Sequence, residues 1–578
     1  MLATGGPAFG QAACDPVMPT SEIASGMTGV GWSVSRGRTR EPFTVEVLGV
    51  LKDGVGPGRD MVVVQASGPM VTAAGGIWSG MSGSPVYIGG RLAGALAFGF
   101  SATSNVAGLT PAQDMAQLLS FRRLGLAQPE TVPLSRSLAG IVAARTGRPV
   151  SAVDSMTQLR IPLSVSGLNA RGMREVRAWA AKRDLAAIPF AGSAVRTSAA
   201  PAAATPPLPG ENFAAVAAYG DVTMAGIGTT TWSCGDEALA FGHPFFHAGE
   251  GPSGANAADA LAIVGDSTFG PFKLAAVAET LGTVDQDRLA GLRARIGAGP
   301  PTTPIRSVLS ASDRGNFRNG GTDVVLPELV PTATFFHLLS NVDSTYDSIG
   351  RGTAALNWTF EGRRADGSPW RLSRGNLIAS RFDVAIESAD AIAFQLDMLQ
   401  SNPSERVEVT SVQVEGAVET AVRQYTLTRV LVAKGARAPF KRVRRAIGVE
   451  PGMLLRVRSF LKHFESGATR RLDLRVRVPR RGAPFGALQI GGGMFRGGEE
   501  CEGEECGEAM FGSFDALLAA LQNAPRNDVL VARLRLGPSG QRIIEKRARL
   551  DGVVLGLRTF ELRPPGGGGC CAGPDEGP

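Results

Sequence analysis

Glycine occupies 75 of the 578 positions and proline another 37. A glycine share near 13%, about twice the usual 7%, places breakers too often for long helical bundles or coiled coils. Turn-rich β structure is therefore expected. Hydrophobic residues make up 44% and charged residues 19%, and a charged fraction below the usual quarter argues against disorder as the dominant state. A chain this long needs about two to four separate cores. Only four histidines occur, His243, His247, His337 and His463. A multi-histidine metal site is nearly excluded, and any histidine base must be one of these four.

The formal charge of +7 is a modest excess for this length and is weak evidence for anionic partners. Its densest stretch, Lys441 to Arg481, contains Leu455-Arg456-Val457-Arg458 and Leu474-Arg475-Val476-Arg477-Val478. Such alternation reads as strands with one buried and one solvated face rather than as a nucleic-acid interface. Six cysteines stand at 14, 234, 501, 506, 570 and 571, with no CxxC pair. Cys501 and Cys506 bracket a loop short enough for a disulfide in an oxidising compartment, and Cys570-Cys571 end a Gly-rich tail expected to be disordered. Residues 1–17 read as the end of a signal peptide or as a disordered start. No run of eighteen or more apolar residues occurs, so no transmembrane segment is expected.

Along the chain, "FTVEVLGVLKDGVGPGRDMVVVQASG" from Phe43 reads as two or three strands, and Gly89-Gly90 between two apolar runs reads as a two-residue hairpin. Thr110, Pro111 and Gln113 make a capping box for a helix ending near Gly125. Residues 18–130 thus suggest a small β-barrel closed by a helix, and 131–195 an α/β segment with a helix around Met173 to Arg183. An Ala/Pro-rich linker covers 196–212, and a second Gly-rich β segment runs over 213–319. From 320 to 565 alternating strands dominate, with one obvious helix at "SFDALLAALQNAP", followed by the tail at 566–578.

The segment with most chemical content is Gly80-Met81-Ser82-Gly83-Ser84-Pro85, directly ahead of the hairpin. Here a serine sits on a tight loop entering a strand, and glycine at 80 lets the Gly80 and Ser82 N–H groups point at one spot, as an oxyanion hole requires. Gly/Ser-rich turns are common, so the hexapeptide alone is a weak signal. It is not a G-x-S-x-G nucleophile elbow, because residue 84 is serine.

This loop resembles that of chymotrypsin-like peptidases, and more closely that of the SpoIVB-type sporulation serine peptidase family, whose members carry GMSGSP followed by a hairpin. "MPTSEIASGMTGVGWSV" at Met18, "FTVEVLGVL" at Phe43, "GRD" at Gly58, "LAFGHPF" at Leu239 and "GTVDQDRLAG" at Gly282 resemble further blocks of long bacterial envelope proteins with this peptidase domain. The resemblance implies a mainly β fold: a chymotrypsin-like double β-barrel, in permuted order, followed by one or two β-sandwich-like domains. It implies Ser82 as nucleophile, Gly80 and Ser82 as oxyanion donors, and His243, in the matching Gly-His motif, as general acid and base. His247 lies four residues on, but Pro244 argues against one helix presenting both to a metal.

Two departures stand out. The family's histidine precedes its serine, whereas Ser82 comes 161 residues before His243; only spatial arrangement matters to the chemistry, so a permuted order or a neighbouring chain can restore it. The family's aspartate falls on Ser67, which leaves Asp60 as the nearest upstream substitute, Asp236 as another, or no acid at all. Met81, where digestive enzymes carry an aspartate that pairs with a freed N-terminus, rules out activation by that ion pair. The expected function is a serine endopeptidase acting on protein substrates, secreted or in the cell envelope, with no cofactor, no metal and no nucleic-acid partner. Its competitor is a non-catalytic β-rich envelope scaffold that keeps the peptidase fold.

Overall fold

The computed structural model describes residues 14–100, 104–120, 131–194, 204–246, 249–443, 446–481, 485–493, 512–537 and 542–564. The chain forms two compact units, residues 1–305 with 321–340, and residues 306–320 with 341–578.

In the first unit, β1 (Thr28–Ser33), β2 (Glu41–Gly56), β3 (Arg59–Ser67), β4 (Pro85–Ile88), β5 (Arg91–Gly99) and β6 (Val106–Pro111) pair in the order β4-β1-β2-β3-β6-β5. A further β4–β5 pairing closes this antiparallel ring, giving a six-stranded barrel. Gly89 (φ 57°) and Gly90 (φ 79°) form the two-residue turn between β4 and β5, since both central residues of such a turn need positive φ. The run Met61-Val62-Val63-Val64 on β3 is buried throughout because both faces of the strand are covered. Val62 and Val64 fill the barrel with Phe43, Val45 and Leu109. Met61 and Val63 face an outer core with Val132, Leu138, Val142 and Met156, carried by β7 (Thr131–Pro133), α3 (Arg136–Thr146) and β8 (Ser155–Gln158). Two shorter helices precede α3 in the chain, α1 (Pro69–Ala73) and α2 (Ala112–Ala116).

After β9 (Ile161–Val165), α4 (Ala170–Lys182) and β10 (Ala187–Ala191) comes a second ring. It comprises β11 (Asn212–Gly220), β12 (Met224–Cys234), β13 (Glu237–Ala240), β14 (Ser253–Val264), β15 (Phe272–Arg288) and β16 (Gly291–Ile296). The order β12-β13-β16-β15-β14-β11, with β11 pairing back to β12, again closes six antiparallel strands. The fold is the double β-barrel expected from the sequence, with the serine-bearing barrel first. One apolar cluster joins the two barrels, with Leu92, Ala95 and Met115 on one side and Trp232, Leu239 and Ala290 on the other.

A disulfide between Cys14 and Cys234, with Cα atoms 5.4 Å apart, adds a covalent staple. The segment after Cys14 is bonded to the first barrel through Leu92 N to Pro16 O and Met18 N to Leu92 O, both 2.8 Å. Cys234 ends β12 of the second barrel. Nothing in the cysteine spacing pairs these two; Cys501, Cys506, Cys570 and Cys571 lie outside the described residues, as do residues 1–13.

In the second unit, strands Gly352–Arg364, Pro369–Ser380 and Val407–Glu419 form an antiparallel ladder against which helix Val384–Gln400 lies. Two five-stranded sheets follow. Leu427, Val432, Leu455 and Val457 of one share a single core with Leu488, Ile490, Leu534 and Phe560 of the other, so these sheets form a β-sandwich. Arg456 and Arg458 alternate with the buried Leu455 and Val457, and Arg458 bonds Asp473 on the paired strand. Two 17-residue helices were not expected, Val384–Gln400 here and Val330–Tyr346, most of which belongs to the first unit. Both are rich in small and apolar residues, which blurs the helical period.

Candidate active site

Trp78 and Met81 are buried in the first barrel's core and anchor the serine loop from below. Within the loop, Met81 N donates to Trp78 O, Ser84 N to Met81 O and Gly83 N to Leu96 O. Among the described residues, the N–H groups of Gly80 and Ser82 donate to nothing, although both residues are buried. Two unused donors on either side of Met81 are what a developing oxyanion needs. The loop is stitched to the second barrel by Thr229, whose N–H donates to Ser82 O at 2.8 Å and whose hydroxyl donates to Gly80 O at 3.0 Å. Gly83, at φ 94°, allows this approach, because a Cβ there would lie 2.0 Å from Thr229 O and 2.5 Å from Phe241 N. The second serine of the loop, Ser84, is engaged elsewhere, since its hydroxyl bonds Ser33 Oγ at 2.9 Å inside the first barrel.

His243 follows β13 on an unusual turn. Phe241 has φ 71° and Gly242 N donates to Ala240 O at 2.9 Å, which is the rare, strained form of the γ-turn. Groups remote in sequence hold it. Phe241 N donates to Thr229 O at 3.2 Å, and the Thr110 hydroxyl donates to Gly242 O at 2.6 Å. The buried Asp287 carboxylate accepts from Phe245 N at 2.8 Å and Phe246 N at 2.7 Å. The result sets His243 Nε2 2.8 Å from Ser82 Oγ, within one chain.

The tautomer follows from the other ring nitrogen. Nδ1 lies 2.8 Å from Pro244 O, and a carbonyl oxygen only accepts, so the ring proton belongs on Nδ1 and Nε2 is free to accept from the Ser82 hydroxyl. The Gln158 amide nitrogen is 3.0 Å from Nδ1 and 3.4 Å from Pro244 O. Two donors facing one another is unfavourable; a 180° flip of the amide, which swaps its N and O ends, turns Oε1 to the Nδ1 proton and gives up the longer donation to Pro244 O. Gln158 thus stands where an orienting acid would stand. The pair is covered, with Ser82 2% and His243 0% exposed.

The structure does not bring the expected acid, Asp60, to this pair. Its carboxylate bonds Lys52 Nζ at 2.6 Å and Asp53 N at 3.0 Å in the β2–β3 hairpin, so its partners are local turn groups. Asp236 lies in the β12–β13 turn, where its carbonyl accepts from Ile296 N, and Ser67 ends β3 exposed to solvent. Thr110 is likewise not a helix cap. It and Pro111 belong to β6 and α2 starts at Ala112, because its hydroxyl is engaged by Gly242 and Gln113 Oε1 by Thr20 N. His247 and the stretch 121–130 lie outside the described residues. His337 and His463 contact Thr322 and Ser466 respectively.

A buried lysine runs under the serine loop. Lys273 on β15 is fully buried, which pushes its pKa down to about 7. Its backbone N–H donates to Ser79 O at 2.8 Å and its ammonium to Asn212 Oδ1 at 2.8 Å. A Cβ on Gly80 would lie 2.8 Å from Lys273 Cβ, so glycine is needed there for space as well as for its φ of 99°. Of the residues that sequence reasoning missed, Asp287 lies in a block already singled out, "GTVDQDRLAG", whereas Gln158, Thr229 and Lys273 carried no signal.

Two six-stranded barrels, with Ser82 and His243 in hydrogen-bond contact at their junction, define a chymotrypsin-like double-barrel architecture. Residues 11–109 match the family model described as SpoIVB peptidase S55. That match contains Gly80 and Ser82 and ends before His243. No curated protein and no solved structure matches the chain.

Proposed function

We propose that the protein is a serine endopeptidase. The observation that carries this reading is the 2.8 Å contact between Ser82 Oγ and His243 Nε2, beside two buried N–H groups without acceptors among the described residues. Ser82 Oγ attacks the scissile carbonyl carbon as its proton passes to Nε2, and the resulting oxyanion accepts from Gly80 and Ser82 N–H. Collapse breaks the C–N bond, with the Nε2 proton leaving on the amine. Water then adds to the acyl carbon, giving a proton to Nε2, and the C–Oγ bond breaks as that proton returns to Ser82. Gln158 and Pro244 O hold the Nδ1 proton, the orienting role an aspartate fills in a triad, without its charge. The Cys14–Cys234 disulfide supports an exported location, since such bonds persist in oxidising compartments. Among the described residues no helix is long and apolar enough to cross a membrane.

A second reading, a scaffold that keeps the fold without the activity, is favoured by the burial of the pair and by the neutral character of Gln158 and Pro244 O. Peptide mixtures incubated with the oxidised protein separate the two. The peptidase reading expects new termini that vanish with S82A and with H243A. Cleavage indifferent to both substitutions, or none at all, overturns it.

A further inference from the structure

A cavity of ≈ 200 Å³ opens beside the serine loop, with neither Ser82 nor His243 in its lining. Its walls include Ser79, immediately before the oxyanion residue Gly80, and Gln158, which touches His243. Phe100, leaving β5, forms part of the opposite side. The cavity has room for one side chain.

The lining chemistry is one-sided. Thr131, Thr157 and Thr268 supply hydroxyls and Arg160 a guanidinium, and among the described residues no aspartate or glutamate lines the cavity. Arg160 rests on the Phe269 ring, 4.9 Å from its centroid, and has no carboxylate partner among the described residues. Asp266, the acid nearest in sequence to the Thr268–Phe269 wall, spends Oδ1 on the N–H groups of those two residues. A neighbouring cavity of ≈ 300 Å³ shares Gln158, but there Arg183 is followed by Asp184, so its cation has an anion beside it. Only the first cavity, of these two, presents a cation without a matching acid.

We propose that this cavity binds the side chain of the substrate residue whose carbonyl Ser82 attacks, and that Arg160 selects an acidic side chain, aspartate or glutamate, at that position. The proposal rests on the peptidase reading above. Arginine suits the role because its planar fork binds a carboxylate through two hydrogen bonds, and the threonine hydroxyls can donate to the same oxygens.

The test uses full-length oxidised protein and peptides identical except for Glu, Leu or Lys at that position. Glu is expected to exceed Leu in kcat/KM by on the order of tenfold or more, the scale of a charge-assisted hydrogen bond. R160E should reverse the order in favour of Lys, and R160A should flatten it. Protection of Ser82 from a fluorophosphonate by peptide aldehydes ending in Glu, Leu or Lys gives a second readout with the same expected ranking. Ser82-dependent cleavage or labelling without acidic preference, or a preference unchanged in R160E, overturns the assignment and leaves the peptidase reading intact. No labelling and no Ser82-dependent cleavage removes both.

Discussion

The two barrels position their reactive groups by different means. In the first, Ser82 is placed by contiguous residues: Gly80 and Gly83 supply the positive φ values, Trp78 and Met81 anchor the loop, and the following hairpin fixes its exit. In the second, His243 sits on a strained turn that its own neighbours do not explain. It is held by Thr110 from β6, Thr229 from β12, Gln158 from β8 and Asp287 from β15. Thr229 belongs to both arrangements, binding Ser82 O through its N–H and Phe241 N through its carbonyl. The serine loop is thus a local structure, while its histidine partner is a tertiary one.

The sharpest way to break that comparison is G83A. Its Cβ would meet Thr229 O at 2.0 Å, so the loop must leave the second barrel. We expect peptidase activity to fall by roughly 100-fold or more, since displacements near 1 Å cost that much, and calorimetry should show about 4 kcal/mol of destabilisation. Next comes the staple. C14S with C234S opens a cross-link between residues 220 apart and should cost about 2–5 kcal/mol, read as a lower midpoint in denaturant. An unchanged midpoint would mean that the apolar junction alone holds the barrels together.

Smaller effects sharpen the account of the base. Q158E places a carboxylate beside Nδ1, which stabilises the imidazolium. The ascending limb of the pH profile of kcat/KM should move to higher pH and kcat should rise by roughly tenfold; an unmoved limb would show that Gln158 does not orient His243. Lys273 is read through stability and not through rate. Its folded pKa, about 7, is below the unfolded value near 10.4, so across that window the unfolded chain binds a proton that the folded chain does not. Stability should therefore rise with pH by up to about 1.4 kcal/mol per unit between these values, and level off below about pH 7. K273M should remove that slope in pH-dependent unfolding.

The same contrast explains what was legible in the sequence. Two-residue turns, apolar alternation and GMSGSP are local patterns, so both barrels and the serine loop could be read from contiguous residues. His243 was legible only because four histidines left few choices and one lay in a Gly-His motif. Its supports were not, because Gln158 stands 85 residues away and is neutral, and Thr110 looked like a helix cap until its hydroxyl was seen on Gly242. Asp60 shows the opposite error. Proximity in sequence made this carboxylate one candidate partner for His243, beside Asp236 or no acid, while local hydrogen bonds to Lys52 and Asp53 satisfy it in its own hairpin. The Cys14–Cys234 bond escaped because proximity across two barrels leaves no trace in spacing.

The central claim is that Ser82 and His243 act as one nucleophile–base pair across the two barrels. Its most direct measurement is the rate of fluorophosphonate labelling against pH, with the modified peptide identified by mass spectrometry. The account predicts a single adduct on Ser82, forming faster as His243 loses its proton and abolished by H243A. An adduct elsewhere, or Ser82 labelling at an undiminished rate in H243A, would contradict it.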